Sequence, residues 1–233
     1  MSEAPLSEAP LSEALIARTH RGLALAWIDF EGALSKVPLI ERINTGRLRI
    51  EDYQQLLLNL RQQVIEGSRW IGRAASNLTP AHEELRSLFV SHTAEEHRDF
   101  LLLESDFAAT GGDPALMTTT PKNIGSEALS AFMYHTASRP DPLGMLGAMF
   151  IIEGLGERLA ATWAKAISEQ LGLQEDATRF LTYHGANDED HMETFDAALR
   201  LAVTSEAIAD DIARHARIVA RLYRLQLEEL GNV

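Results

Sequence analysis

The chain has 233 residues, 45% hydrophobic and 24% charged, enough apolar material for one domain with a sizeable core and too ordered a composition for general disorder. Its 34 acidic against 21 basic residues leave a formal charge of −13, which argues against a nucleic-acid backbone or an anionic membrane surface as partner. Cysteine is absent, which removes disulfides, zinc fingers, cysteine-ligated iron–sulfur clusters and thiol nucleophiles together.

The first residues, MSEAPLSEAPLSEAL, are a short LSEAP repeat whose prolines interrupt a helix and which has no face to bury. A disordered tail over 1–14 is expected, joined near Ser12, a suitable N-cap, to one helical domain over 15–233. Leu15, Ile16, Leu23, Trp27, Ile28 and Leu34 then recur at helical spacing. Pro38 opens a short helix that ends at Asn44-Thr45-Gly46. Tyr53, Leu56, Leu57, Leu60, Val64 and Ile71 mark a long helix over 50–77, and Pro80 starts the next, running to Gly111-Gly112. Residues 113–122 read as a loop. Helices over 123–137, 142–170, 174–202 and 204–230 follow, divided by Arg139-Pro140-Asp141-Pro142, Gly172 and Thr204-Ser205. No stretch alternates with period two between hairpin turns, so the expected fold is all-α, a single-domain bundle of seven or eight helices. No apolar run approaches the ~18 residues of a membrane span, and no basic-then-apolar leader is visible, so a cytoplasmic protein is expected.

A repeat emerges from the polar residues. Val64-Ile65-Glu66-Gly67 recurs as Ile151-Ile152-Glu153-Gly154, each a carboxylate inside an apolar helical stretch. The first is followed by His92, Glu96 and Asp99, the second by His184, Asp188 and His191. Positions i, i+4 and i+7 lie within about 60° of one another on a helix, so each trio forms one stripe, whereas His97 lies about 140° from His92. Chance predicts roughly 0.2 such trios in a chain with this many histidines, and two occur. A lone helical acid or histidine is ordinarily solvated or capping; the repeated constellation is what points to a metal site. Two such helices, each opposed by a helix offering one Glu, can surround a pair of metals in the manner of carboxylate-bridged di-iron bundles. Glu66, His92, Glu96, Asp99, Glu153, His184, Asp188 and His191 offer more donors than two ions need. That oxygen-rich set suits Fe(II) or Mn(II) better than zinc. Glu95 and Asp190 read as solvent-facing acids or as partners of ligand histidines. Trp70, His135 and Phe150 are weak candidates for a substrate pocket, since aromatics at helical spacing are ordinarily core. No Walker loop, GxGxxG fingerprint or GxSxG elbow is present.

At these residues the chain resembles the haem-oxygenase-like di-iron oxidases, in the superfamily that also holds the TenA and PqqC proteins. The resemblance covers roughly residues 15–225. It rests on the Val37-Pro38-Leu39-Ile40 segment leading to Thr45-Gly46, on Glu66, on Glu95-Glu96-His97-Arg98-Asp99 running to Gly111, and most specifically on Glu153 with His184-x3-Asp188-x2-His191. Many relatives offer a Glu and then a His where this chain has His92 and Asp99, so either the ligand types are exchanged or His97 substitutes after a register shift. The resemblance implies two iron ions (manganese being possible), O2 as co-substrate, a small organic substrate such as an amine, amino acid or fatty acid, an external reductant and a homodimer. A metal-free protein of the PqqC type and a ferritin-like iron-storage bundle are the other readings. The thiaminase chemistry of TenA proteins needs a cysteine that this chain lacks, and the glycine-rich distal motif of true haem oxygenases is not found.

Overall fold

In the computed structural model, which describes residues 8–186 and 188–231 apart from the side chains of 8–11 and 188–193, every long element is a helix and no strand forms among the described residues. Helix α1 (Glu8–Leu34) begins upstream of the expected start near Ser12. Pro10 falls in its first turn, where the backbone N–H has no intrahelical partner to lose; residues 8–14, expected in the tail, are thus helical, and residues 1–7 lie outside the described part. α2 (Pro38–Asn44) carries Pro38 at its first position, where a fixed φ and a missing donor cost nothing. α3 (Ile50–Asn77) is followed by α4 (Glu83–Glu96) and α5 (Phe100–Ala109), then α6 (Leu116–Thr119) within the stretch expected to be loop. α7 (Ile124–Ala137) is capped by Asn123, whose side chain accepts the Ser126 N–H at 2.8 Å. α8 (Met145–Leu155) runs through a π-helical turn, Gly156–Ala160, into α9 (Ala161–Leu171). Gly172, in the left-handed conformation at φ 64°, ends α9. α10 (Arg179–Ala186), α11 (Asp188–Ala202) and α12 (Glu206–Glu228), the last capped by Ser205, complete the chain.

The all-α architecture is as expected, but the seven or eight anticipated helices are cut into shorter pieces. The long helix over 80–109 breaks at His97-Arg98-Asp99. There the His97 ring lies 2.8 Å from the Ala94 carbonyl, and the Asp99, Leu101 and Leu102 N–H groups bond three residues back rather than four. α12 packs between α1, α7 and α8, while α3 packs on α4, α5 and α7. The core is continuous across these layers, with Leu57, Leu103, Met133, Leu146, Ile151, Leu199, Ile212 and Val219 fully buried. Inside it Tyr53 donates to the Ala177 carbonyl at 2.7 Å, tying α3 to the segment that enters α10.

Candidate metal centre

α4 and the turn after it deliver three donors to one place. His92 and Glu96 sit on the same face of α4, and Asp99, the residue before α5, stays in helical conformation (φ −65°, ψ −23°) and turns inward although the helix has broken. α8 brings Glu153 from one side, so that His92 Nε2 lies 3.3 Å from Glu153 Oε1. α10 brings His184 from the other, its Nε2 3.3 Å from Asp99 Oδ2. That approach depends on small residues. A Cβ at Gly185 would stand 2.8 Å from the Ala161 nitrogen, and one at Gly156 would already touch His184 at 3.4 Å. The π-helical turn lies at this contact, directly after the Glu153 turn; such turns recur at functional sites.

The five side chains form two overlapping groups. His92, Glu96 and Glu153 each offer one donor atom within 4.8 Å of the others, and so do Glu96, Asp99 and His184. Glu96 belongs to both. Burial raises its carboxyl to about 7, the Glu153 charge adds to this, and the two imidazoles oppose it. For His92 and His184 burial favours the neutral ring, but the carboxylates outweigh it: chiefly Glu153 for His92, and Asp99 then Glu96 for His184, so that both pKa values are raised. The His184 Nε2 is buried and makes no well-aligned hydrogen bond among the described residues, despite its nearness to Asp99. Crowded acids around such a nitrogen are poorly satisfied by each other and well satisfied by a cation. The donor set therefore fits divalent metal, with oxygen donors outnumbering nitrogen and one carboxylate common to both groups.

Not every expected residue joins. Glu66 instead pairs with Lys122 Nζ at 2.6 Å and accepts from Ser130 Oγ, and it belongs to neither group. The repeat that matched it to Glu153 could not show that a lysine from the segment before α7 pairs with it. His97 is exposed, so the ring facing the site is His92. Asp188 and His191 lie outside the described side chains. Glu95 is 57% exposed, with an oxygen 3.9 Å from His92 Nδ1. Trp70 packs edge-on against Tyr134, Phe150 packs against Phe195, and His135 is exposed; none of the three lines the cavity beside the cluster.

That cavity, about 80 Å³, has Glu96, Glu153 and His184 at its polar end and leucines, Phe180 and Trp163 as walls. Gln63 of α3 and Tyr223 of α12 also line it. Neither was singled out from sequence, although both are polar residues on otherwise apolar helix faces, which is a readable signal. A second space of about 210 Å³ lies on the other side of His92 and Glu153, against Met149 and Phe195. No helix among the described residues is long and apolar enough to cross a membrane.

Comparison with known proteins gives this geometry a family. Residues 58–224 match the family described as iron-containing redox enzyme, and the chain belongs to it. The fold is similar to a domain of unknown function with a haem oxygenase-like fold from Shewanella denitrificans, at 16% identity and a TM-score of 0.81, covering 98% of this chain and 94% of that one. It is also similar to a TenA homologue from Pseudomonas syringae pv. tomato, at 15% identity and a TM-score of 0.74, covering 90% and 92%. Both show the fold, which is haem oxygenase-like. Comparison with curated proteins gives no match.

Proposed function

We propose that the protein is an O2-dependent oxidoreductase that holds two iron ions, or iron with manganese, and oxidises a small organic molecule. The observation that carries this reading is the position of Glu96, a partly buried carboxylate common to two acid–histidine groups. In this reading His92 and Glu153 would hold one ion, Asp99 and His184 the other, Glu96 would be available to either, and Asp188 and His191, whose side chains lie outside the described ones, would add donors at the second position. Bound iron would supply the redox chemistry and the affinity for O2.

The rest is work for the protein's own groups. Before a cation arrives, the Glu96 carboxylate retains a proton near neutrality; occupation of the site displaces it, so uptake strengthens as pH rises. The imidazoles of His92 and His184 must likewise be neutral to bind metal, which adds to the same pH dependence. Leu56, Leu60, Leu181 and Phe180 exclude water beside the acids and select an apolar body of a few heavy atoms. We also propose an external reductant and a homodimer. The test is to add Fe(II) anaerobically to metal-free protein and then admit O2. Uptake of O2 with a new absorbance, lost in Glu96→Ala, supports the reading. A chain that takes up no iron is instead a binding or cofactor-biosynthesis protein on the same fold.

A further inference from the structure

A directed chain of buried polar groups runs from the start of α7 to the cavity. Asn123 donates from Nδ2 to the Gln226 backbone carbonyl at 2.8 Å, and α7 is pressed so closely on α12 that a Cβ at Gly125 would stand 2.2 Å from the Gln226 nitrogen. The Gln226 side chain thus starts from a fixed backbone. Its Oε1 lies 3.3 Å from the Ser126 hydroxyl, and its Nε2 donates to Gln63 Oε1. With its carbonyl used, Gln63 has only its N–H2 end left to offer Tyr223, its polar neighbour on the cavity wall, and it acts on that phenol in the sense that favours the ionised form. An N–H2 group can be met only by a lone pair of the phenol oxygen, so the Tyr223 proton is not taken up by Gln63. The ring lines the cavity that Glu153 also lines. Burial, reinforced by the Glu153 charge, holds the phenol in its neutral, donating form, more strongly than Gln63 opposes it.

We infer that Tyr223 is a specificity-determining residue whose hydroxyl, aimed by Gln226 and Gln63, donates to an acceptor oxygen such as a carbonyl on the molecule bound beside Glu153. This rests on the reading that the cavity is the substrate site. It predicts a substrate with an apolar body and an oxygen acceptor, rather than a plain hydrocarbon. A site built to donate a hydrogen bond discriminates against analogues lacking the acceptor, because its donor is otherwise left unpaired.

The test uses the full metal-free chain, butanone, and the methylbutene in which CH2 replaces the carbonyl oxygen, with Trp163 fluorescence as the reporter on the cavity wall. In Tyr223→Phe the affinity for butanone should fall about five- to tenfold while that for the alkene stays within about twofold. Gln63→Met, which leaves the phenol in place but removes its orienting partner, should reduce the same preference, and decides the matter if Tyr223→Phe does not fold. Unchanged butanone affinity in the folded variants, or parallel loss of both ligands, overturns the inference. Iron content is measured separately on each protein: a wild type without iron contradicts the redox reading and leaves the ligand result standing.

Discussion

Asp106 is fully buried on α5, and its Oδ2 accepts the Phe180 N–H at 2.8 Å, while the neighbouring Arg179 N–H acts on the carboxylate in the same sense. These are donors of the first turn of α10, which has no other way to satisfy them internally. The consequence reaches the metal centre, since the Phe180 ring lies 4.5 Å from that of His184. Burial raises the Asp106 carboxyl from 3.8 to about 6 against those backbone bonds. A folded value above the unfolded one means that the native state holds the proton more tightly. This contribution favours folding fully below 3.8 and is lost as pH rises through 6. The ionised group therefore costs about 3 kcal/mol at neutral pH relative to acid. Asp106→Asn removes the titration and keeps an acceptor. Urea unfolding of both metal-free proteins across the acid-to-neutral range should show the stability difference moving by about 3 kcal/mol in favour of the variant as pH rises. A pH-independent difference would refute the reasoning. Asp106→Ala, which leaves the α10 donors without the carboxylate, should lose about 1–3 kcal/mol and weaken iron binding as well.

Removing Glu66's partner by Lys122→Met should destabilise by about 3 kcal/mol in a melt, because a half-buried carboxylate loses its cation, with iron content unchanged. The double variant Glu66→Leu, Lys122→Met should recover most of that loss, and loss of iron in either would restore Glu66 to the site. His97→Ala should keep its iron and its stability by elemental analysis and thermal melting, since the ring is exposed and its hydrogen bond is to the Ala94 carbonyl of its own helix. His92→Ala should lower affinity at the first position by tenfold or more, on the order expected for loss of one ligand.

Much of this was legible because helices are punctuated chemically. Pro38, Thr79-Pro80, Gly111-Gly112, Gly172 and Ser205 each stand where a helix starts or stops, and the i, i+4, i+7 rule placed His92, Glu96 and Asp99 together. Asp99 reaches the site even though the helix it was assigned to has ended, because the turn at 97–99 keeps near-helical dihedral angles. The break itself, and the π-helical turn after Glu153, left no mark, since residues such as Arg98 and Leu159 are compatible with an unbroken helix. Glu66 shows a different limit. A residue pattern says which face a carboxylate occupies, not whether a distant lysine lies opposite it. Gln63 and Tyr223 could be read as polar residues on apolar faces, but what they and Gln226 do could not, because it lies in contacts between α3 and α12, far apart in the chain.

The shared position of Glu96 is the claim on which the functional reading stands, and iron stoichiometry tests it most directly. Reconstituted wild type should hold two ions per chain by elemental analysis. His92→Ala and His184→Ala should each keep the ion at the other position, while Glu96→Ala should weaken both and fall below either single variant. A Glu96→Ala protein that still holds two ions, or a wild type that holds none, would contradict the account.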